Sequence, residues 1–264
     1  SVSFDDYEEN KAPHDAAPPD GALAPPSAAV YDDASPLDSP TPTDDAGMAA
    51  TLARINLLGL WIWFCSQPTT TGHGFVERPW SPDMRLGAAV AAARAWLEFA
   101  VLHLNLGQRP IRDMWLHPGR VGDYEFRPIN GVSDINEEGT VMRNCVRLYG
   151  EDIALNRSRL WSVRRGGERV ATLEVAIRYG DPLLNIVQLE APGNTAVSRE
   201  LWWVARRWLH LHDLPRIETS ELRRKQAPLD AATCRGLWRP YWLAKRRIPK
   251  WLPLAPSRFA LEAL

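Results

Sequence analysis

Glu137-Glu-Gly-Thr-Val-Met142-Arg-Asn-Cys145-Val-Arg-Leu-Tyr149 decides how the chain is divided. Asp134, three residues ahead of Glu137, matches a capping box and predicts a helix starting there and running to about Leu155. Helical spacing puts Met142, Cys145, Val146 and Tyr149 on one apolar face and turns Arg143 and Arg147 away from the thiol. This pattern predicts Cys145 as a small buried hydrophobe within a core stripe.

Downstream the period changes from helical to alternating. Segments near 159–164, 169–177 and 184–190 read as strands, with Gly166-Gly167 and Gly180-Asp181-Pro182 as the turns between them. Leu173, Val175 and Ile177 share one face of the middle strand, while Thr172, Glu174 and Ala176 share the other. Residues 197–212 then form a strongly apolar helix, which gives an α-β-β-β-α unit. Upstream, helices are expected from about Ala46 to Cys65 and from Asp83 to Leu106, the second with its apolar face at Leu86, Val90, Ala93, Leu97 and Val101 and stopped by Gly107. The fold class is therefore α+β: a helical N-terminal layer, then an α-β-β-β-α unit with a small antiparallel meander.

The domain reading is residues 1–46 as a disordered acidic arm rich in Pro, Ala and Asp, 47–128 as a helical region, 129–214 as the α-β-β-β-α core, and 215–264 as a basic, Trp-rich, irregular extension. The net charge of −1 conceals an asymmetry, because residues 1–50 carry −10 and the rest +9. A basic body beside an acidic arm points to an anionic partner. The three cysteines (Cys65, Cys145, Cys234) have no paired spacing, which argues against a disulfide framework. No basic start with an apolar run opens the chain, and the most apolar stretch, Leu57 to Cys65, falls short of the roughly 20 residues that span a bilayer. The expectation is a cytoplasmic protein with no membrane partner. Ser1 in place of methionine predicts a piece of a longer product.

No conventional catalytic motif is present, and no cofactor is expected. His210 and His212 are two residues apart on a helix, about 200° around its axis, and cannot share a metal, so no metal site is expected. The weak catalytic candidates are Glu174, Gln188, Asn194 and Cys145. A carboxylate and two amides converging at one end of the sheet would suit a polar ligand or nucleotide. The alternatives are a solvated face for Glu174 and a helix cap for Asn194. Nucleic-acid-binding candidates are Arg199, Trp203, Arg206 and His210, spaced along one helix face, followed by Arg223, Arg224 and Lys225, and by Lys245, Arg246 and Arg247. Cations interleaved with aromatics track phosphates and stack bases. The same residue types anchor protein interfaces, so a protein partner stays open beside nucleic acid.

Residues 129–212 resemble the PcfJ-like family associated with mobile elements. The resemblance is carried by Ile129-Asn-Gly-Val-Ser-Asp-Ile-Asn-Glu-Glu-Gly139, by Met142-x-x-Cys145-x-x-x-Tyr149, by the paired strands Ser158–Arg164 and Ala171–Val175, and by Gln188 and Asn194 closing the pattern. Asn144 stands where a histidine is frequent, and Ala191 where a glycine is common. The resemblance implies an accessory protein of a mobile element and supplies no reaction. Three functions follow as expectations: a nucleic-acid-binding accessory protein, an enzyme acting on a nucleotide or nucleic acid at Glu174, Gln188 and Asn194, or an interaction module in a transfer or defence assembly.

Overall fold

A computed structural model describes residues 43–108, 110–178, 181–214, 229–249, 251–252 and 254–256. Nearly all of the acidic arm and the basic triplet Arg223, Arg224 and Lys225 lie outside the described residues.

The α+β class holds. Helices α1 (Thr43–Cys65) and α2 (Leu86–Leu106) are followed by strands β1 (Gly119–Val121) and β2 (Tyr124–Pro128), then α3 (Val132–Met142), a 3-10 turn at Val146–Tyr149 and α4 (Gly150–Ala154). Strands β3 (Ser158–Arg165), β4 (Glu168–Arg178), β5 (Asp181–Ala191) and β6 (Thr195–Ala196) lead into α5 (Arg199–Leu209), and α6 (Ala231–Lys245) completes the described elements. The sheet is an antiparallel meander of six strands in sequence order. The expected three-stranded core is thus extended by the β1–β2 hairpin, which the sequence put in the helical region, and by the short β6.

Alternation along the strands feeds two separate cores. Phe126, Trp161, Val163, Leu173 and Val175 pack on the face covered by α5, against Leu201, Val204, Ala205 and Trp208. Trp208 stacks on Phe126 with centroids 4.4 Å apart and planes 3° from parallel. The intervening residues face α3 and α4, where Leu160 joins Leu102, Ile135, Val146 and Ile153. Behind these, α1, α2 and α6 share a third core containing Trp61, Phe64, Trp96, Leu237 and Trp238.

Three expectations about these helices need correction. The buried stripe of α2 runs through Ala89, Ala93, Trp96, Ala100 and Leu104, leaving Leu86 exposed. The alanines flank Trp96, whose ring packs 5.0 Å from that of Phe64 on α1, so the face carrying the indole, rather than that with the most aliphatics, turns inward. By length and composition alone α2 could cross a bilayer; in this fold one side of it packs on α1 and α6, and Leu102 on another side packs toward α3 and α4. The C-terminal extension is also not irregular throughout, because α6 buries Trp238, Tyr241 and Trp242 despite Pro240 in its interior.

The third correction concerns the deciding segment. Instead of one helix from Asp134 to Leu155, α3 starts from Gly131 as N-cap, with Asp134 already inside its first turn, and stops at Met142. Arg143 takes the left-handed conformation (φ 51) and its N–H closes on the Gly139 carbonyl. The stop rotates the following residues off the helical stripe. Met142 and Val146 remain buried, but Cys145 sits in the break and is exposed.

Candidate functional site

The break between α3 and the 3-10 turn opens a small pocket on the sheet face opposite α5. Its walls come from Cys145 and Tyr149, from Glu174 on β4, from Gln188 and Glu190 on β5, and from Asn194 in the turn to β6. The enclosed space is about 10 Å³, room for roughly one water.

Local backbone choices place each side chain. Thr172 and Glu174 are alternate residues of β4, and Gln188 and Glu190 are alternate residues of β5, so all four share one face. Their register is Thr172 opposite Glu190 and Glu174 opposite Gln188. Beyond that pair the ladder shifts, and Val175 faces Ile186, leaving Val187 as the extra residue. Without this bulge Ile186 and Gln188 would share a face. With it, Ile186 serves the apolar core while Gln188 reaches the pocket. At the β5–β6 turn, Gly193 (φ 72) and Asn194 (φ 57) both take left-handed backbone, a conformation that glycine and asparagine accept at low cost. The Gly193 N–H donates to the Met142 carbonyl at 2.7 Å, fastening this turn to the end of α3. Asn194 Nδ2 then lies 3.8 Å from Cys145 Sγ. Asn194 does not cap α5; Ser198 does, accepting from the Leu201 N–H.

The polar groups form a connected network. Tyr149 Oη donates to Gln188 Oε1, and Gln188 Nε2 donates to Glu190 Oε1. Glu174 Oε1 accepts from Ser158 Oγ at 3.0 Å. Half-buried Glu174 therefore does not sit on a solvated face, the alternative its strand position allowed. Burial raises its carboxyl above the ordinary range, and the neighbouring Asp152 and Glu190 add to this against the lowering effect of the Ser158 hydrogen bond. Burial likewise pushes the Tyr149 phenol well up, reinforced by Glu174. At the back, Asn144 Nδ2 donates to Thr172 Oγ1 at 2.9 Å, and that hydroxyl donates to Glu138 at 2.8 Å. Glu138, 1 % exposed, also accepts from Arg169 Nε at 2.8 Å.

Glu174, Gln188, Asn194 and Cys145 thus come together although 49 residues separate the first and last in sequence. Sequence reasoning missed Asn144, Tyr149 as a hydroxyl donor, Thr172 and Glu190. The two polar pairs at alternate positions of adjacent strands were the available signal.

The cationic candidates are dispersed. Arg199, Trp203, Arg206 and His210 are all exposed on α5, where Arg206 lies over Trp202 and Arg207 over Trp203. Lys245, Arg246 and Arg247 are exposed at the end of α6, in the helical layer. Of the twelve tryptophans, only Trp80 and Trp203 are exposed, which leaves few indoles to anchor a protein partner. Among the described residues no group of three His, Cys, Asp or Glu is arranged to hold a metal ion.

No family model matches the chain, and neither a curated protein nor a solved structure matches it.

Proposed function

We propose that the protein is an enzyme acting on a nucleotide or nucleic acid, with the pocket at Cys145 admitting only the reacting group while the rest of the substrate lies outside its rim. One observation carries this reading. Residues from α3's end, β4, β5 and the β5–β6 turn converge on a single polar pocket, and building it requires a bulge, two left-handed turn residues and a broken helix. Titratable groups shifted by burial and by named neighbours, as Glu174 and Tyr149 are here, cluster at functional sites. Glu174, held toward its protonated form, has the character of a general acid–base. Cys145 offers an accessible thiol at the rim, while Tyr149, Gln188 and Asn194 supply directional hydrogen bonds. The pocket lies within residues 129–212, the segment that resembles the PcfJ-like family, in keeping with a role in a mobile element.

Calorimetric titration with mononucleotides and short oligonucleotides tests the reading. Binding or turnover is expected in the unmodified protein and is lost at least about tenfold in Glu174→Gln and Asn194→Ala while both variants still unfold cooperatively above the assay temperature, one lost hydrogen bond to a charged group being worth about 1.5–3 kcal/mol. Binding that survives both substitutions removes it.

The exposed row Arg199, Trp203, Arg206 and His210 favours a second reading, a nucleic-acid-binding accessory protein using the outer side of α5. Affinity should then fall steeply with salt, and Arg199→Glu with Arg206→Glu should flatten that slope.

A further inference from the structure

A groove of about 490 Å³ runs between α5 and the β1–β2 hairpin, on the sheet side away from Cys145. Its volume suits a nucleotide-sized occupant. One wall is the α5 stripe Glu200, Trp203 and Arg207 continued by Leu211 in the following turn; the other brings Arg120, Asp123 and Tyr124. Sequence reasoning had paired Trp203 with Arg206, but the guanidinium beside it is that of Arg207, 5.2 Å from the ring centroid. Trp203 is 58 % exposed and Leu211 66 %, so large apolar surfaces stand open at the groove.

The groove's charges have different partners. Asp123 is offset by Arg165 at 3.5 Å, itself an exposed pair that solvent screens, and Glu200 accepts from the Tyr124 hydroxyl at 3.4 Å. Arg120 reaches only Glu125, at 3.7 Å with its side chain 75 % exposed, a pair that solvent screens heavily. Arg120 and Arg207 therefore remain to meet an anion from opposite walls of the groove, with an open indole beside them.

We propose that this groove binds single-stranded nucleic acid, one base stacking on Trp203 while adjoining phosphates pair with Arg120 and Arg207. The proposal rests on the nucleic-acid reading of α5 and is independent of the pocket at Cys145. A single strand fits better than a duplex because only unpaired bases present a free face to an indole. An acidic peptide would satisfy the arginines but leave Trp203 unused.

Fluorescence anisotropy with labelled poly-dT and poly-U oligonucleotides tests it on the full chain. Trp203→Ala should weaken binding roughly 10- to 100-fold, and Trp203→Phe should recover most of the loss. Arg120→Glu and Arg207→Glu should each lower the log–log salt slope by about one. Arg94→Glu, on exposed α2 surface, should change neither quantity. A duplex of the same length should bind more weakly. Trp203→Ala binding within about twofold of the unmodified protein, or equal competition by polyglutamate, overturns the proposal. If the groove variants bind normally while Arg199→Glu and Arg206→Glu do not, the groove is wrong and the α5 reading stands. If the unmodified protein binds no oligonucleotide at low salt, both fail.

Discussion

Glu174 on β4 sits directly opposite Gln188 on β5, and the ladder slips immediately beyond that pair. The slip lets one strand serve two masters, an apolar core through Ile186 and a polar pocket through Gln188. Tyr149, bonded to Gln188, closes the pocket over Glu174.

Glu174 gives the fold a pH dependence with a definite sign. Its carboxyl is raised, so between the ordinary carboxyl range and its folded value the native state holds more proton than the unfolded chain. Stability contributed here is greatest at acid pH and declines as pH rises through that window. Glu174→Gln keeps an oxygen for Ser158 but cannot ionise. Denaturant titrations at several pH values should show the variant gaining on the unmodified protein as pH rises toward neutral. A constant difference between the two at all pH values would contradict the assignment.

The carboxylate of Glu138 is the most deeply placed charge behind the pocket, held by Arg169 and by Thr172. Glu138→Ala removes one of Arg169's two carboxylate partners, leaving Glu137 at 2.7 Å, and strips Thr172 of its acceptor; it should cost about 1–3 kcal/mol, read as a shifted urea midpoint with unchanged slope. Replacing Glu138 and Arg169 together by leucine should recover part of that loss. A double variant as unstable as the sum of its singles would show that the pair is not coupled.

Gly72 is the most tightly enclosed glycine among the described residues. A Cβ there would lie 2.4 Å from Cδ1 of Phe64, whose buried ring is flanked by Trp96 and Tyr241. The Gly72 carbonyl also accepts from Trp96 Nε1 at 2.7 Å, so neither partner has room to move. Gly72→Ala should destabilise by about 1–3 kcal/mol through overpacking. Gly74→Ala, with nothing within 4 Å of its Cβ, should be close to neutral in the same thermal melt.

These positions show which features sequence patterning carries. The stop of α2 at Gly107, the inward stripe of α5 and the turn at Gly166-Gly167 follow from local chemistry and were legible. The end of α3 was not, because its left-handed residue is Arg143 rather than glycine and the apolar spacing continues unbroken past it. The β1–β2 hairpin was hidden by strands of three and five residues among glycines and prolines, too short for alternation to register. The extension read as irregular, whereas burial of Trp238 and Trp242 sustains α6 even with Pro240 removing a backbone donor from its interior. Within the pocket, Glu174, Gln188 and Asn194 were legible as interrupted patterns, whereas Thr172 and Glu190 read as ordinary strand polarity.

The break in the deciding segment has a chemical consequence. Cys145 is exposed, Cys65 is half-buried and Cys234 is buried. Burial raises the thiol pKa at both Cys65 and Cys234, which lowers their thiolate fraction at neutral pH as well as their access to reagent. Iodoacetamide should therefore modify Cys145 first, with peptide mass mapping showing Cys234 modified only in denaturant. Equal labelling of Cys145 and Cys234 in the native protein would contradict this arrangement. The same reaction reports on the pocket, because an occupant seated between Tyr149, Glu174 and Asn194 must pass the sulfur at its rim. A ligand that binds there slows alkylation in proportion to its occupancy, whereas one held in the groove beside Trp203, across the sheet, leaves the rate unchanged.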